Sequence, residues 1–333
     1  MKAHKKNLAQ LKDRIFITDG GLETTLIFEN GFDLPEFASF TLLKDKRGRD
    51  AIHDYYLPYI DLAKQNQFGF IFEGATWRAS KDWGEKLGYS ETTLRKVNRE
   101  SIELLANLRR THETDTSPML ISGCIGPRSD GYAPRFKMNP EEAQQYHISQ
   151  IQTLSETEAD LVSAFTINYV EEAIGITRAA QQCNIPIVIS FTLETDGRLP
   201  SGQPLGAAIT QVEQETNDGP AYYMINCAHP THFKHVLSTD AAWKDRIHAI
   251  RANSSCKSHA ELDESGELDS GNPVELGCEY REIIRLLPNL NILGGCCGTD
   301  IRHLREICSR LTEVIHPAFA SQSIVHNKIG LHI

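Results

Sequence analysis

Short runs of β-branched and aromatic residues recur along this chain, and each gives way to a longer stretch whose apolar positions return every three or four residues. The short runs fall at 14–18, 68–73, 119–123, 161–165, 187–191, 222–227, 247–251 and 291–295. They are nearly continuous in apolar character, as strands buried on both faces must be. Helical periodicity covers 50–64, 91–110, 140–158, 170–182 and 273–287. Strand-then-helix alternation predicts a parallel sheet, and eight such units suit an α/β fold closed into a single (β/α)8 TIM barrel. No low-complexity stretch or linker divides the sequence, so one domain is expected over residues 1–333. A doubly wound open sheet is the alternative. It is disfavoured because the first strand runs into Asp19-Gly20-Gly21-Leu22-Glu23-Thr24, which lacks the G-x-G-x-x-G fingerprint of a dinucleotide site.

In such barrels the chemistry gathers where strands end on the C-terminal face. The sixth run ends in Asn226-Cys227, and the eighth empties into Gly294-Gly295-Cys296-Cys297-Gly298-Thr299. Adjacent cysteines are badly placed to form a disulfide with each other, because their Cβ vectors do not converge. They are well placed to hold one metal ion as thiolates, and Cys227, two strands away on the rim, supplies a third sulfur. Three sulfurs with one position open is the pattern of a catalytic zinc, since structural zinc sites fill all four. Three loops on this face, 126–136, 194–205 and 256–272, are long or rich in Gly and Pro. The last carries Glu261, Asp263, Glu264, Glu267 and Asp269. It reads either as solvated surface charge or as a lid over the open metal position.

Composition narrows the partners. The 333 residues are 40% hydrophobic, ample for one large core, and the net charge of −10 argues against nucleic acid or an anionic membrane surface. No run approaches the ~18 apolar residues of a membrane span. The basic start, Met1-Lys2-Ala3-His4-Lys5-Lys6, is followed by no apolar segment, so no secretory signal is expected. Eight cysteines without such a signal point to reduced thiols and a cytoplasmic location. Cys183, Cys278 and Cys308 read as ordinary packed thiols.

Taken together, Asp19-Gly20-Gly21, Asn226-Cys227-Ala228-His229-Pro230 and Gly294-Gly295-Cys296-Cys297-Gly298-Thr299 resemble the homocysteine S-methyltransferase family. Thr76-Trp77-Arg78-Ala79-Ser80 and the stretch from Gly197 to Leu205 support the resemblance, which runs over residues 15–311. It implies a zinc-dependent barrel that moves a methyl group from a sulfonium or ammonium donor onto the thiol of homocysteine, giving methionine. S-methylmethionine and S-adenosylmethionine are the leading donors, a betaine-type ammonium is also open, and folate or cobalamin is less expected. The resemblance makes Cys227, Cys296 and Cys297 the Zn2+ ligands and catalytic centre. It places Asp19, with the amides near Gly20 and Gly21, around the amino acid head group, and Thr76 on the same pocket. Asn226, counted with the substrate-binding residues, would orient or transiently ligate the metal, and His229 would lie outside the inner shell.

One position departs from the family. Where a glutamate usually follows the fourth strand to pair with the substrate ammonium, this chain has Phe165. Glu73 or Glu194, at neighbouring strand ends, would replace it, or else the accepted thiol is not homocysteine. Two other readings remain. In one, Cys296 and Cys297 cycle redox-wise with Cys227 or Cys124, although no C-x-x-C is present. In the other, the barrel binds zinc without catalysis.

Overall fold

The computed structural model describes residues 8–11, 14–133, 136–263 and 265–315. Eight parallel strands close into a barrel in chain order, each followed by a helix. The strands are β1 (Phe16–Ile17), β2 (Gly69–Glu73), β3 (Met119–Ile125), β4 (Leu161–Ile167), β5 (Ile187–Phe191), β6 (Tyr222–Asn226), β7 (Ile247–Ala252) and β8 (Ile292–Gly295). The helices that follow them are α1 (Lys46–Asn66), α2 (Glu91–His112), α3 (Pro140–Ser155), α4 (Val170–Gln182), α5 (Leu205–Thr216), α6 (Pro230–Leu237), α7 (Pro273–Leu286) and α8 (Ile301–Ile315). The barrel shuts where Phe16 pairs with Gly69 on one side and Ile292 on the other. The expected barrel is therefore present, and all eight expected strands exist. The expected span of 1–333 runs into residues 1–7 and 316–333, which lie outside the described residues.

Local chemistry starts the helices where the periodicity does. Asp45 and Ser90 accept backbone N–H groups at the starts of α1 and α2, and Asn139 forms a reciprocal capping box with Glu142 at the start of α3. Pro stands in the first turn of α3, α6 and α7, where its missing N–H costs nothing. Among the described residues no helix is long and apolar enough to cross a membrane.

The two-residue period of the strands then builds two cores. Phe70, Ile121, Val162 and Ile189 face the helices, while Ile71, Leu120, Leu161 and Val188 fill the barrel. Leu8 and Leu11 pack against the inner cluster. One period nearer the C-terminal end of each strand, the inward series changes character. Ile71 gives way to Glu73, Leu120 to Ser122, Leu161 to Ser163, Met224 to Asn226 and Ala249 to Arg251. Through Glu73, Asn226 and Arg251 that polar layer meets a cavity of ≈ 420 Å³, within the range of small-molecule sites.

Candidate active site and metal centre

Asn226 and Cys227 both line the cavity although they are neighbours at a strand end. Simple alternation would turn one of them away. The backbone of Cys227 instead takes φ +56°, the left-handed region, and brings its sulfur to the mouth. The residue facing it from β4, Thr166, does the same at φ +60°. A non-glycine residue held there costs about 1–3 kcal/mol, and what sustains it is a pair of hydrogen bonds. Thr166 N donates to Asn226 Oδ1 at 2.9 Å, and Asn226 Nδ2 donates to Thr166 Oγ1 at 2.9 Å. Ser190 adds a third bond to Oδ1 at 2.6 Å. Asn226 is thus a fixed brace, with its amide nitrogen 3.8 Å from Cys296 Sγ.

The glycines carry the opposing wall. A Cβ on Gly21 would come 2.7 Å from the Cys296 carbonyl, and one on Gly20 would come 2.6 Å from that of Thr299. Only glycine lets the end of β1 lie against the cysteine loop. The Gly21 amide is spent on that contact, donating to Thr299 O at 2.9 Å, so it is not available to hold a substrate head group.

Three sulfurs converge as the sequence suggests. Cys227 Sγ lies 2.9 Å from Cys296 Sγ and 3.6 Å from Cys297 Sγ, and all three fall within 4.8 Å of one another. Two sulfurs each about 2.3 Å from one tetrahedral ion stand about 3.8 Å apart, so the donor set fits zinc after a slight opening. Their soft, closely spaced thiols suit such an ion and leave the fourth position to the cavity. Hydrogen bonds from Cys227 and Cys297, with help from Arg251, hold the Cys296 thiol well below its ordinary range. The Tyr132 hydroxyl lies 3.1 Å from Cys227 Sγ, and its ring stacks on His259 at 3.9 Å. His259 Nε2 in turn donates to the Cys227 carbonyl at 2.6 Å.

Asp19 lines the cavity at the end of β1, where Arg251 Nη1 meets its Oδ1 at 2.9 Å and Tyr55 donates to its Oδ2 at 3.0 Å. The same guanidinium donates to Gly295 O at 2.9 Å and Gly20 O at 3.0 Å, and it sits over the Phe165 ring at 5.2 Å. Burial opposes its charge, but Asp19 and Glu73 outweigh burial and keep Arg251 firmly cationic. Glu73, only 6% exposed, lines the cavity floor; Ser163 donates to its Oε1 at 3.4 Å and its Oε2 has no partner. Burial raises its carboxyl to about 8, with Arg251 pulling the other way.

Other expectations fall elsewhere. Thr76 turns its hydroxyl onto the Cys124 carbonyl at 2.5 Å and does not line the cavity. Of the two carboxylates expected there, Glu73 lines the cavity, while Glu194 points to His259 Nδ1 at 3.6 Å, outside the lining. His229 caps α6. Loop 256–272 is not merely solvated: His259, Leu262, Ser265, Glu267 and Asp269 line the cavity, and Ser254 and Ser255 pin Asp269. Sequence reasoning missed Arg251, Tyr132, His259 and Glu23 as lining residues. Arg251 alone left a signal, a charge at an inward strand position.

The family described as homocysteine S-methyltransferase matches residues 16–311. A selenocysteine Se-methyltransferase of Brassica oleracea var. italica is 25% identical over 318 residues, covering 89% of this chain and 88% of that protein. A methionine synthase of Mycobacterium tuberculosis is 28% identical over 155 residues, which is 43% of this chain but only 11% of the synthase. Among solved structures, the homocysteine methyltransferase MmuM of Escherichia coli in its metallated form superposes with a TM-score of 0.72 at 18% identity, covering 91% of this chain and 99% of MmuM. Barrel, sulfur cradle and the match along nearly the whole described chain agree: the protein belongs to the homocysteine S-methyltransferase family and, with it, to the methyltransferases.

Proposed function

We propose that this protein transfers a methyl group from a small cationic donor, a sulfonium or quaternary ammonium, to the thiol of homocysteine in a zinc-dependent reaction. The observation that carries the reading is the convergence of Cys227, Cys296 and Cys297 at the wall of a cavity that also holds buried carboxylates. Zinc, when bound by these sulfurs, supplies the charge that keeps an incoming thiol ionised near neutral pH. The thiol proton leaves to water, the acceptor sulfur forms the new S–CH3 bond, and the bond from methyl to the onium centre breaks with its electron pair going to the donor. Asp19 orients the acceptor ammonium, Glu73 joins it by giving up its proton as that cation arrives, and Asn226 keeps Cys296 in place. Phe165, Trp77 and Leu262 keep water from the reacting sulfur.

The cavity favours a cation as donor. Phe28, Phe37, Trp77, Tyr132 and Phe165 line it, and Glu23 and Glu267 add acidic groups. Reduced thiols suit a cytoplasmic setting. A second reading, a different thiol or a selenol as acceptor, is favoured by Phe165 in place of the family glutamate. The Brassica relative is named for selenocysteine.

The test is a matrix on reduced, zinc-loaded protein: homocysteine, selenocysteine and glutathione against S-methylmethionine, S-adenosylmethionine and glycine betaine. Methionine is expected from homocysteine with a cationic donor, and chelation should abolish it with zinc restoring it. Stoichiometric zinc without methylation of any acceptor would reject the reading.

A further inference from the structure

A second buried guanidinium faces the cavity, and the chemistry above does not use it. Arg78, 7% exposed, lies between two indoles, 3.9 Å from the Trp77 ring centre and 3.7 Å from that of Trp83. Both faces of its plane are therefore covered, and only its edges can meet a partner. Nη1 donates to the Ser129 carbonyl at 3.2 Å, while Nε is buried with no hydrogen-bond partner.

The carboxylates that act on it from a distance are engaged elsewhere. Asp130 accepts the amides of Tyr132 and Ala133, Glu36 pairs with Lys86 at 2.7 Å, and Glu23 accepts from Ser39 at 2.7 Å. Burial lowers the Arg78 pKa only to about 10, so the group stays charged at neutral pH. A buried, immobilised cation with an unpartnered donor is built for an anion, and a carboxylate can accept two parallel N–H bonds from a guanidinium edge.

Position ties this edge to the reaction. Ser129, which holds Arg78, and Tyr132, which reaches Cys227, stand three residues apart in one loop. Arg78 and the three sulfurs also line one and the same cavity of ≈ 420 Å³, so a small molecule held at Arg78 shares its enclosure with the cradle. We propose that Arg78 is the receptor for a carboxylate on the methyl donor, so that the donor is a zwitterion carrying its onium methyl and its carboxylate on one small skeleton. This rests on the methyl-transfer reading for the word donor, but the anion site itself does not.

Calorimetry on zinc-loaded, reduced protein tests it, with glycine betaine and its methyl ester as probes. The wild-type protein should prefer the acid over the ester. Arg78→Met should weaken the acid by about 10- to 100-fold, the value of lost charge-assisted hydrogen bonds, and leave the ester unchanged. Arg78→Lys, which keeps the charge and the fold but not the fork, should fall between. In turnover assays Arg78→Met should raise KM for a carboxylate donor and not for homocysteine. No acid preference in the wild type, equal weakening of both probes, or a KM effect confined to homocysteine would overturn the proposal. Failure of the methyl-transfer reading appears separately, as no product with any donor, while the acid-to-ester preference still reports on Arg78.

Discussion

Arg251 and Arg78 are equally buried and border the same cavity, yet their surroundings are opposite. Arg251 has a carboxylate at 2.9 Å, two carbonyls at 2.9 and 3.0 Å, and the Phe165 ring beneath it. Its charge is matched by a carboxylate of its own chain, although Nη1, the nitrogen nearest that carboxylate, makes no well-aligned hydrogen bond. Arg78 has one carbonyl and two indoles and, among the described residues, no ion pair. A buried charge satisfied by its own chain fixes structure, whereas one left partly unsatisfied is held ready for something that arrives. On the proposed reading the acceptor side is built around the sulfurs, Asp19 and Arg251, and the donor side around Arg78 and Trp77.

The largest effect separating the two sides should come from Cys296→Ser. It should weaken metal retention by more than the about 10- to 100-fold that removing a mere supporting partner costs, and abolish turnover, while the binding of glycine betaine persists. Loss of both by metal analysis and calorimetry would merge the two sides. Next, Arg251→Met strands Asp19 without its cation and should cost about 3–5 kcal/mol in urea unfolding. Arg78→Met should cost no more than about 1–2 kcal/mol, the worth of its stacks and one carbonyl bond. Equal losses would erase the contrast between a structural and a receptive arginine.

Glu73→Gln belongs to the acceptor side and should raise KM for homocysteine about 10-fold, with the donor value little changed. Its pH signature is separate. Burial keeps Glu73 protonated until about pH 8, whereas its ordinary value is 4.5, so stability falls as pH rises between those values. The glutamine variant should flatten that decline in thermal melts; an unchanged slope would place the carboxylate elsewhere. The smallest effect should be that of Tyr132→Phe, a two- to about tenfold loss in kcat from one hydroxyl near Cys227, with metal content intact.

The barrel was legible in the sequence because strands buried on both faces must be apolar throughout. That requirement put all eight runs in place, and 170–182 coincides with α4. The cysteines were legible because two adjacent sulfurs at a strand end have few other uses. Thr76 was harder: its position near the rim follows from the strand, but its hydroxyl had a carbonyl from β3 to satisfy, which no single segment reveals. Glu194 failed for a related reason, since a strand-end position fixes an angle around the barrel but not a height or a direction. Tyr132 comes from a loop and His259 from the first position of the short helix His259–Asp263, and their stacking exists only once two distant segments meet. Arg78 was visible as a letter beside Trp77, but its missing counter-ion becomes apparent only in three dimensions.

The order in which the chain is made gives the sulfur cradle a further property. Cys227 emerges from the ribosome 69 residues before Cys296, and the last two sulfurs follow only after β8 has been synthesised. A nascent or truncated product that stops short of that strand carries a single cradle thiol and lacks the three-sulfur donor set. On the zinc-binding reading, metal content would therefore report that a preparation has been made past β8 with its two cysteine-bearing strand ends brought together.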